Sequence, residues 1–214
     1  MPVKARPVPV ASVYNWTGFY IGGHIGGAWS NASISDPIGG IFLPAGIALA
    51  HNGSSFLGGF QLGYNYQTGP WVFGIQGDMS WTAINASVFN PFFGFLLTHS
   101  DKVNWLASLS GRIGYAWNTW LLYGKGGVAW VHNTYSTTNP PGYVANGSDT
   151  RTGFLIGAGL EYAWARNWTT FIEYNYIDVG TRTETLAANA APNPLVTSEK
   201  QNISLVKLGL NYKF

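Results

Sequence analysis

The sequence predicts an all-β chain folded as an eight-stranded antiparallel up-and-down transmembrane β-barrel, and three observations carry that expectation. First, only 9% of the 214 residues are charged, against roughly 25% in soluble domains, while aromatics reach 16% and glycines number 28. An apolar outer face and a polar inner face average to such a composition. Second, apolar residues alternate with polar or small ones, the period of a strand, in about eight segments. Third, the ten tryptophans fall near the ends of those segments. A membrane interface favours a ring that is largely apolar but keeps one N–H for water.

The same composition argues against other classes. A hydrophobic content of 46% can build a core, so disorder is not expected. With no Cys there is no disulfide scaffold and no thiolate metal site. No run of about 20 apolar residues is available for a helical span. A net charge of +2 supplies no basic field for nucleic acid.

The segments justify themselves in order. In the first, Phe19, Ile21, Ile25 and Trp29 oppose Tyr20, Gly22, His24, Gly26 and Ala28. In the second, Phe56, Phe60, Leu62, Tyr64 and Tyr66 oppose Gly59, Gln61, Gly63 and Asn65. The third sets Phe73, Ile75, Met79 and Trp81 against Gly74, Gln76, Asp78 and Ser80. The fourth sets Val103, Trp105, Leu109, Ile113, Tyr115 and Trp117 against Asn104, Ser108, Ser110 and Arg112. In the weaker fifth, Leu122, Val128 and Trp130 face out, with Tyr123, Lys125 and Gly127 facing in. The sixth places Phe154, Ile156, Leu160, Tyr162 and Trp164 opposite Gly157, Gly159 and Glu161. The seventh places Ile172, Tyr174 and Tyr176 opposite Phe171, Glu173 and Asn175. The eighth runs Val206, Leu208, Leu210, Tyr212 and Phe214 against Lys207, Gly209, Asn211 and Lys213. Leu205 and Ile203 break that parity, which reads as a bulge or as apolar plug residues.

Connections alternate in length. Short turns fall at Gln67–Pro70, Asn118–Thr119 and Arg166–Asn167, and long segments cover roughly 31–53, 84–101, 133–150 and 181–199. Short periplasmic turns, long external loops and an even strand count are the pattern of outer-membrane barrels. Trp16, Trp29, Trp71, Trp81, Trp105, Trp117, Trp120, Trp130, Trp164 and Trp168 are then expected to form two aromatic girdles. Ten residues tilted about 45° rise roughly 23 Å, close to the ~25 Å apolar band of such barrels.

Most of the few charges share the inward parity: Asp78, Arg112, Lys125, Glu161, Glu173 and Lys207. Gln61, Gln76, Asn175 and His24 accompany them. Eight strands enclose a bore just wide enough for side chains to fill, and buried charges must pair. A neutral ion-paired interior is expected, with a gate or narrow conduction path as the alternative. Glu161 and Glu173 on neighbouring strands invite an enzyme reading. No nucleophile elbow or metal spacing accompanies them, and His24, His51, His99 and His132 are scattered, so no enzyme, metal or resident cofactor is expected.

The external segments 38–49 and 88–97 are unusually apolar for loops. Exposed apolar patches mark contact surfaces. The expectation is that they pack on one another or extend the strands above the membrane; the alternative is that they bind a hydrophobic ligand, such as haem with His51 or His99 as axial ligand, or a host surface.

Residues 1–13 are rich in Pro and lack an apolar h-region, so they read as an extended periplasmic lead-in to a barrel over 14–214, in a sequence beginning after signal cleavage.

The opening Val13–Gly23, with its Trp16-Thr17-Gly18-Phe19-Tyr20 core, resembles the first strand of the small porin-family, OmpA-like outer-membrane proteins of alphaproteobacteria, the immunogenic surface-protein group. Gly58–Asn65, Gly111–Tyr115, Leu122–Gly127, Glu173–Tyr176 and the terminal Lys207–Phe214 agree with it. The resemblance spans Tyr14 to Phe214. It implies a closed eight-stranded barrel in the bacterial outer membrane, inserted by the outer-membrane assembly machinery, which would read the terminal aromatic Phe214. The sequence ends at the barrel, so the peptidoglycan-binding domain of longer relatives is expected to be missing. The expected role is structural and surface-interacting in the cell envelope, with outer-membrane lipid as the surrounding partner. Narrow porin-like transport of small solutes or ions is the first alternative, and loop capture of a ligand the second.

Overall fold

A computed structural model of the chain describes residues 14–35, 48–89, 98–139, 143–186 and 195–214. They form eight strands: β1 (Gly18–Ser35), β2 (Ala48–Thr68), β3 (Trp71–Phe89), β4 (Thr98–Trp117), β5 (Trp120–Asn139), β6 (Tyr143–Ala163), β7 (Trp168–Leu186) and β8 (Leu195–Lys213). Each pairs antiparallel with the next, and β8 returns to β1, so the sheet is a closed barrel. Closure leaves no edge with unpaired N–H and C=O groups, which hydrocarbon would not tolerate. Residues 1–13 lie outside the described residues.

The register fixes the barrel's shape. Following paired residues once around, from Phe19 through Tyr64, Ile75, Gly111, Gly126, Ile156, Tyr176 and Ser204, returns to β1 at Trp29, ten residues above the start. Eight strands with that stagger tilt by about 41° and set a backbone radius of roughly 8 Å. Each residue then adds about 2.5 Å of height, so Trp71 and Trp81 stand about 25 Å apart, the thickness of the apolar band.

Between those levels the outward faces of the described residues carry no charge. Ile25, Phe56, Ile75, Leu109, Leu122, Ile156 and Leu208 are all exposed there, a wall that only hydrocarbon makes stable. The rims are aromatic. On the turn side Trp71 packs edge-on to Tyr115, Trp120 against Tyr162, and Trp168 against both Trp164 and Tyr212. Trp29, Trp81, Trp105 and Trp130 mark the other rim, with Trp81 paired to Trp105 and the Trp105 ring stacked on His132 at 5.2 Å. The tight β4–β5 turn puts Asn118 at a φ of 54°, a left-handed conformation that Asn tolerates.

Two features differ from the sequence reading, and a third decides between alternatives it left open. Strands of 18 to 21 residues replace most of the long external segments; at about 2.5 Å per residue they rise roughly 20 Å beyond the upper rim. There both faces meet water, so the hydrophobic alternation that marks a strand is absent. The apolar segments 38–49 and 88–97 lie mostly outside the described residues, while Val88 and Phe89 belong to β3 and His51 and His99 to β2 and β4. Second, Val103 faces inward and is 2% exposed. The ladder slips between Val103 and Trp105, so Asn104 is an extra, bulged residue that reverses the parity above it. Third, Leu205 and Ile203 are plug residues without a bulge: both are buried, and β8 keeps its register through them on both sides.

Candidate functional site in the barrel interior

The candidate site is the filled bore, which is layered along its axis. Asp78, Arg112, Lys125, Glu161, Glu173 and Lys207 are all buried there, from five different strands and from β8. Inward glycines give them room. At Gly159 an added Cβ would meet the Tyr123 ring at 2.5 Å, whereas Gly111, on the outer face, has open space.

The charges form two linked groups. In the lower one Arg112 donates from Nη2 to Glu161 Oε2 at 2.7 Å and from Nη1 to Tyr20 Oη at 3.1 Å and Gln76 Oε1 at 3.3 Å. Its guanidinium lies over the Tyr123 ring, 4.0 Å from the centroid, a cation–π contact, while Nε has no hydrogen-bond acceptor. The second oxygen of Glu161 accepts from Thr169 Oγ1 at 2.5 Å and Asn211 Nδ2 at 2.9 Å. Gln61 closes this ring, donating to Asn211 Oδ1 at 2.8 Å and accepting from Gln76 at 3.4 Å.

In the upper group Lys125 Nζ donates to Glu173 Oε1 at 2.8 Å and lies 3.5 Å from Asp78 Oδ2. Glu173 also accepts from Tyr123 Oη at 2.9 Å and Asn175 Nδ2 at 2.8 Å. Asp78 accepts from Lys207 Nζ at 2.6 Å and Ser108 Oγ at 2.5 Å. Three cations thus meet three carboxylates, and every carboxylate has at least one cation in contact. Glu161 and Glu173 are held by different cations, so they do not form a carboxylate dyad. His24 touches Ser80 Oγ at 2.8 Å, apart from His132 on the outer rim.

Apolar layers cap this core on both sides. Above it Ala28, Leu57, Ile84, Leu106, Leu155 and Leu205 converge from six strands, with Val131, Ile177 and Ile203 beside them. Below it Trp16, Val72, Leu121, Tyr123 and Ala163 fill the turn-side mouth. Trp16 therefore does not belong to the outer girdle: it is 1% exposed, its ring packs edge-on to Tyr14 at 4.7 Å, and its backbone N–H donates to Gln67 Oε1 at 2.8 Å. The chain enters β1 by folding under the barrel, and that brings the indole inside. Burial, reinforced by the charge of Glu161, pushes the Tyr14 phenol up to about 12. The other nine tryptophans lie on the outer surface near the rims. Phe214 is exposed, packs on Tyr212 at 5.2 Å, and its backbone N–H donates to the Phe19 carbonyl at 3.0 Å.

Sequence reasoning did not find Tyr20, Tyr123, Thr169 and Asn211 as partners of the charges, nor the extent of the upper apolar layer. Their inward parity was available; which of them meet across the bore depends on the stagger of the strands, which parity does not encode.

A charge-free, aromatic-rimmed outer wall around a packed polar core defines an integral outer-membrane β-barrel. The chain belongs to the outer membrane protein beta-barrel domain family, whose model matches residues 5–214. It is 32% identical to the 31 kDa outer-membrane immunogenic protein of Brucella melitensis, over 100% of this chain and 89% of that protein. It is 28% identical to the 22 kDa outer membrane protein of Rhizobium leguminosarum, over 98% of this chain and 83% of that one. Among solved structures it resembles the outer membrane protein OprG of Pseudomonas aeruginosa, with a TM-score of 0.53 at 13% identity over 94% of this chain and 99% of that one. That last likeness is one of fold. The protein is a multi-pass protein of the bacterial outer membrane.

Proposed function

We propose that the protein works mainly as a structural and surface-interaction element of the cell envelope, with a bore that does not conduct. The observation supporting this is the stack of two apolar layers around a neutral, mutually paired charge cluster. An ion entering the bore would have to leave water, pass the Leu57–Leu106–Leu155–Leu205 layer and break buried ion pairs, each step opposed by desolvation. No reaction is assigned to the barrel, because Glu161 and Glu173 are each committed to a cation. The surface role is supported by the immunogenic outer-membrane proteins to which the chain is related. Outer-membrane lipid is the partner of its wall, and the exposed terminal aromatic Phe214 is the feature that the assembly machinery reads. Ligand capture by the external segments, haem included, stays an alternative decided by deletion of residues 90–97.

Planar-bilayer recording tests the main reading. The purified wild type is expected to stay silent, and a Leu106→Gly/Leu205→Gly variant to open small, steady currents. Steady wild-type currents that vanish in Arg112→Ala or Glu173→Ala would establish the narrow-channel alternative instead.

A further inference from the structure

Backbone pairing closes the wall only up to the upper rim; above it the ladders join the strands into two sheets. The β2–β3 ladder stops at Leu57↔Thr82, beside Trp81, although β2 reaches Ala48 and β3 reaches Phe89. The β6–β7 ladder stops at Phe154↔Asp178, although β6 begins at Tyr143 and β7 runs to Leu186. The other ladders continue to the upper end of a strand, as at Ser35↔Ala48, Phe89↔Thr98, Asn139↔Tyr143 and Leu186↔Leu195. The extension is thereby divided into β3–β4–β5–β6 and β7–β8–β1–β2, with the two seams on opposite sides of the barrel. Hydrocarbon demands closure, but above the rim water can satisfy unpaired N–H and C=O groups, so a seam is tolerated there.

The seams are held differently. At β2–β3 the strands stay packed: an added Cβ at Gly53 would lie 2.8 Å from both the Asn85 carbonyl oxygen and Ile84 Cγ2. At β6–β7 a bulge between Asp178 and Thr181, with Gly180 at a φ of 73°, turns β7 aside, and an added Cβ at Gly180 would meet nothing. Side chains bridge this seam. Arg182 of β7 pairs with Asp149 of β6, and Arg151 of β6 donates from Nη2 to Glu199 of β8. Each sheet gives one acid and one base, so the cluster is neutral. Closure leaves Arg151 Nε and Nη1 without a hydrogen-bond acceptor among the described residues, Nε standing 3.9 Å from Asp149 Oδ2. Parting the sheets returns those N–H groups to water, which offsets part of the ion pairing lost.

We propose that the β6–β7 seam is a clasp: the two extramembrane sheets part along it and are held shut by the Arg182–Asp149 and Arg151–Glu199 pairs. The β2–β3 seam, closed by packing, stays shut on the opposite side, and the membrane-embedded ladders are untouched. Shut, the clasp keeps the facing edges of β6 and β7 from pairing with other chains. Parted, it bares residues 143–153 and 179–186 as strand edges. This goes beyond the structural role proposed above and does not depend on the bore being closed.

The chain has no Cys, so spin labels attach only where Cys is introduced. Ser148→Cys/Thr181→Cys places a pair across the β6–β7 seam and Asn52→Cys/Asn85→Cys a pair across β2–β3, all four positions being exposed. Distances are recorded by pulsed electron spin resonance on the full barrel in lipid nanodiscs. At low salt the β6–β7 pair should give a main short distance and a minor longer one. Arg182→Gln, and separately Glu199→Gln, should raise the longer population about threefold, the effect of removing one partly exposed ion pair. Salt at about 1 M, where the screening length falls to about 3 Å, should shift the otherwise wild-type barrel the same way. The β2–β3 pair should not change. An unchanged β6–β7 distribution in both variants, or equal broadening at β2–β3, overturns the proposal. Folding is checked by the faster gel migration of unheated barrel; if neither variant folds, an unchanged β6–β7 distribution at high salt overturns the proposal on its own.

Discussion

Neutralising Lys125 should be costly, and neutralising its partner as well should recover most of the cost. At an effective dielectric of about 20, unit charges at the 2.8 Å of Lys125–Glu173 attract by about 6 kcal/mol, and those at the 3.5 Å of Lys125–Asp78 by about 5 kcal/mol. Lys125→Met forfeits both and regains the desolvation of the ammonium. The remainder is about 3–5 kcal/mol of lost stability, the usual result of stranding one buried charge. Asp78 keeps Lys207, so the stranded group is Glu173. Glu173→Gln alone strands Lys125 only in part and should cost about as much or somewhat less. The double variant Lys125→Met/Glu173→Gln restores neutrality. It should cost only about 1–2 kcal/mol, the worth of the hydrogen bonds lost. The assay is urea unfolding from lipid vesicles, followed by tryptophan fluorescence and by gel migration without heating. Single variants that each cost less than about 1 kcal/mol and add in the double would mean that water screens this layer, and the reasoning would fail.

Three further outcomes can be checked in the same assay. Gly159→Ala should lose about 1–3 kcal/mol by driving a methyl into the Tyr123 ring, while Gly111→Ala on the open outer face should change stability by less than about 0.5 kcal/mol. Ile75→Arg, near mid-membrane, should cost about 2–4 kcal/mol and Tyr66→Arg, near the rim, at most about 1 kcal/mol; equal costs would deny a lipid-facing wall. Trp16→Ala should cost about 3–5 kcal/mol by emptying the turn-side mouth. Because the Tyr14 phenol rises to about 12 in the folded chain, the mouth's stability is complete below pH about 10 and falls as pH climbs toward 12, read as greater acrylamide quenching in wild type than in Trp16→Phe.

The membrane-embedded half of the barrel was legible because lipid on one side and a packed bore on the other force strict alternation. From Trp71 to Trp81 every outward position is apolar or Gly, and the pattern could be read without a structure. Legibility stopped where that contrast stops. Above the upper rim both faces are wet, so β1 and β2 run through residues that read as loop. Asn104 reversed the parity of β4 because a bulge leaves no mark in composition. Trp16 read as a rim residue since its distance from Phe19 along the chain says nothing of the fold-back beneath the bore. The inward charges were visible, but their pairing was not: Asp78 meets Lys207, 129 positions away, only through the ten-residue stagger.

That pairing bears on how the molecule is built. Arg112 on β4 reaches Glu161 on β6, Lys125 on β5 reaches Glu173 on β7, and Lys207 on β8 reaches across to Asp78 on β3. None of these links joins adjacent ribbons. In a flat, open precursor β3 and β8 would stand at distant positions, and all six charges would face the bilayer unsatisfied. Curling and charge neutralisation must therefore arrive together, which denies the half-built molecule any comfortable resting place in lipid and makes insertion an all-or-none event.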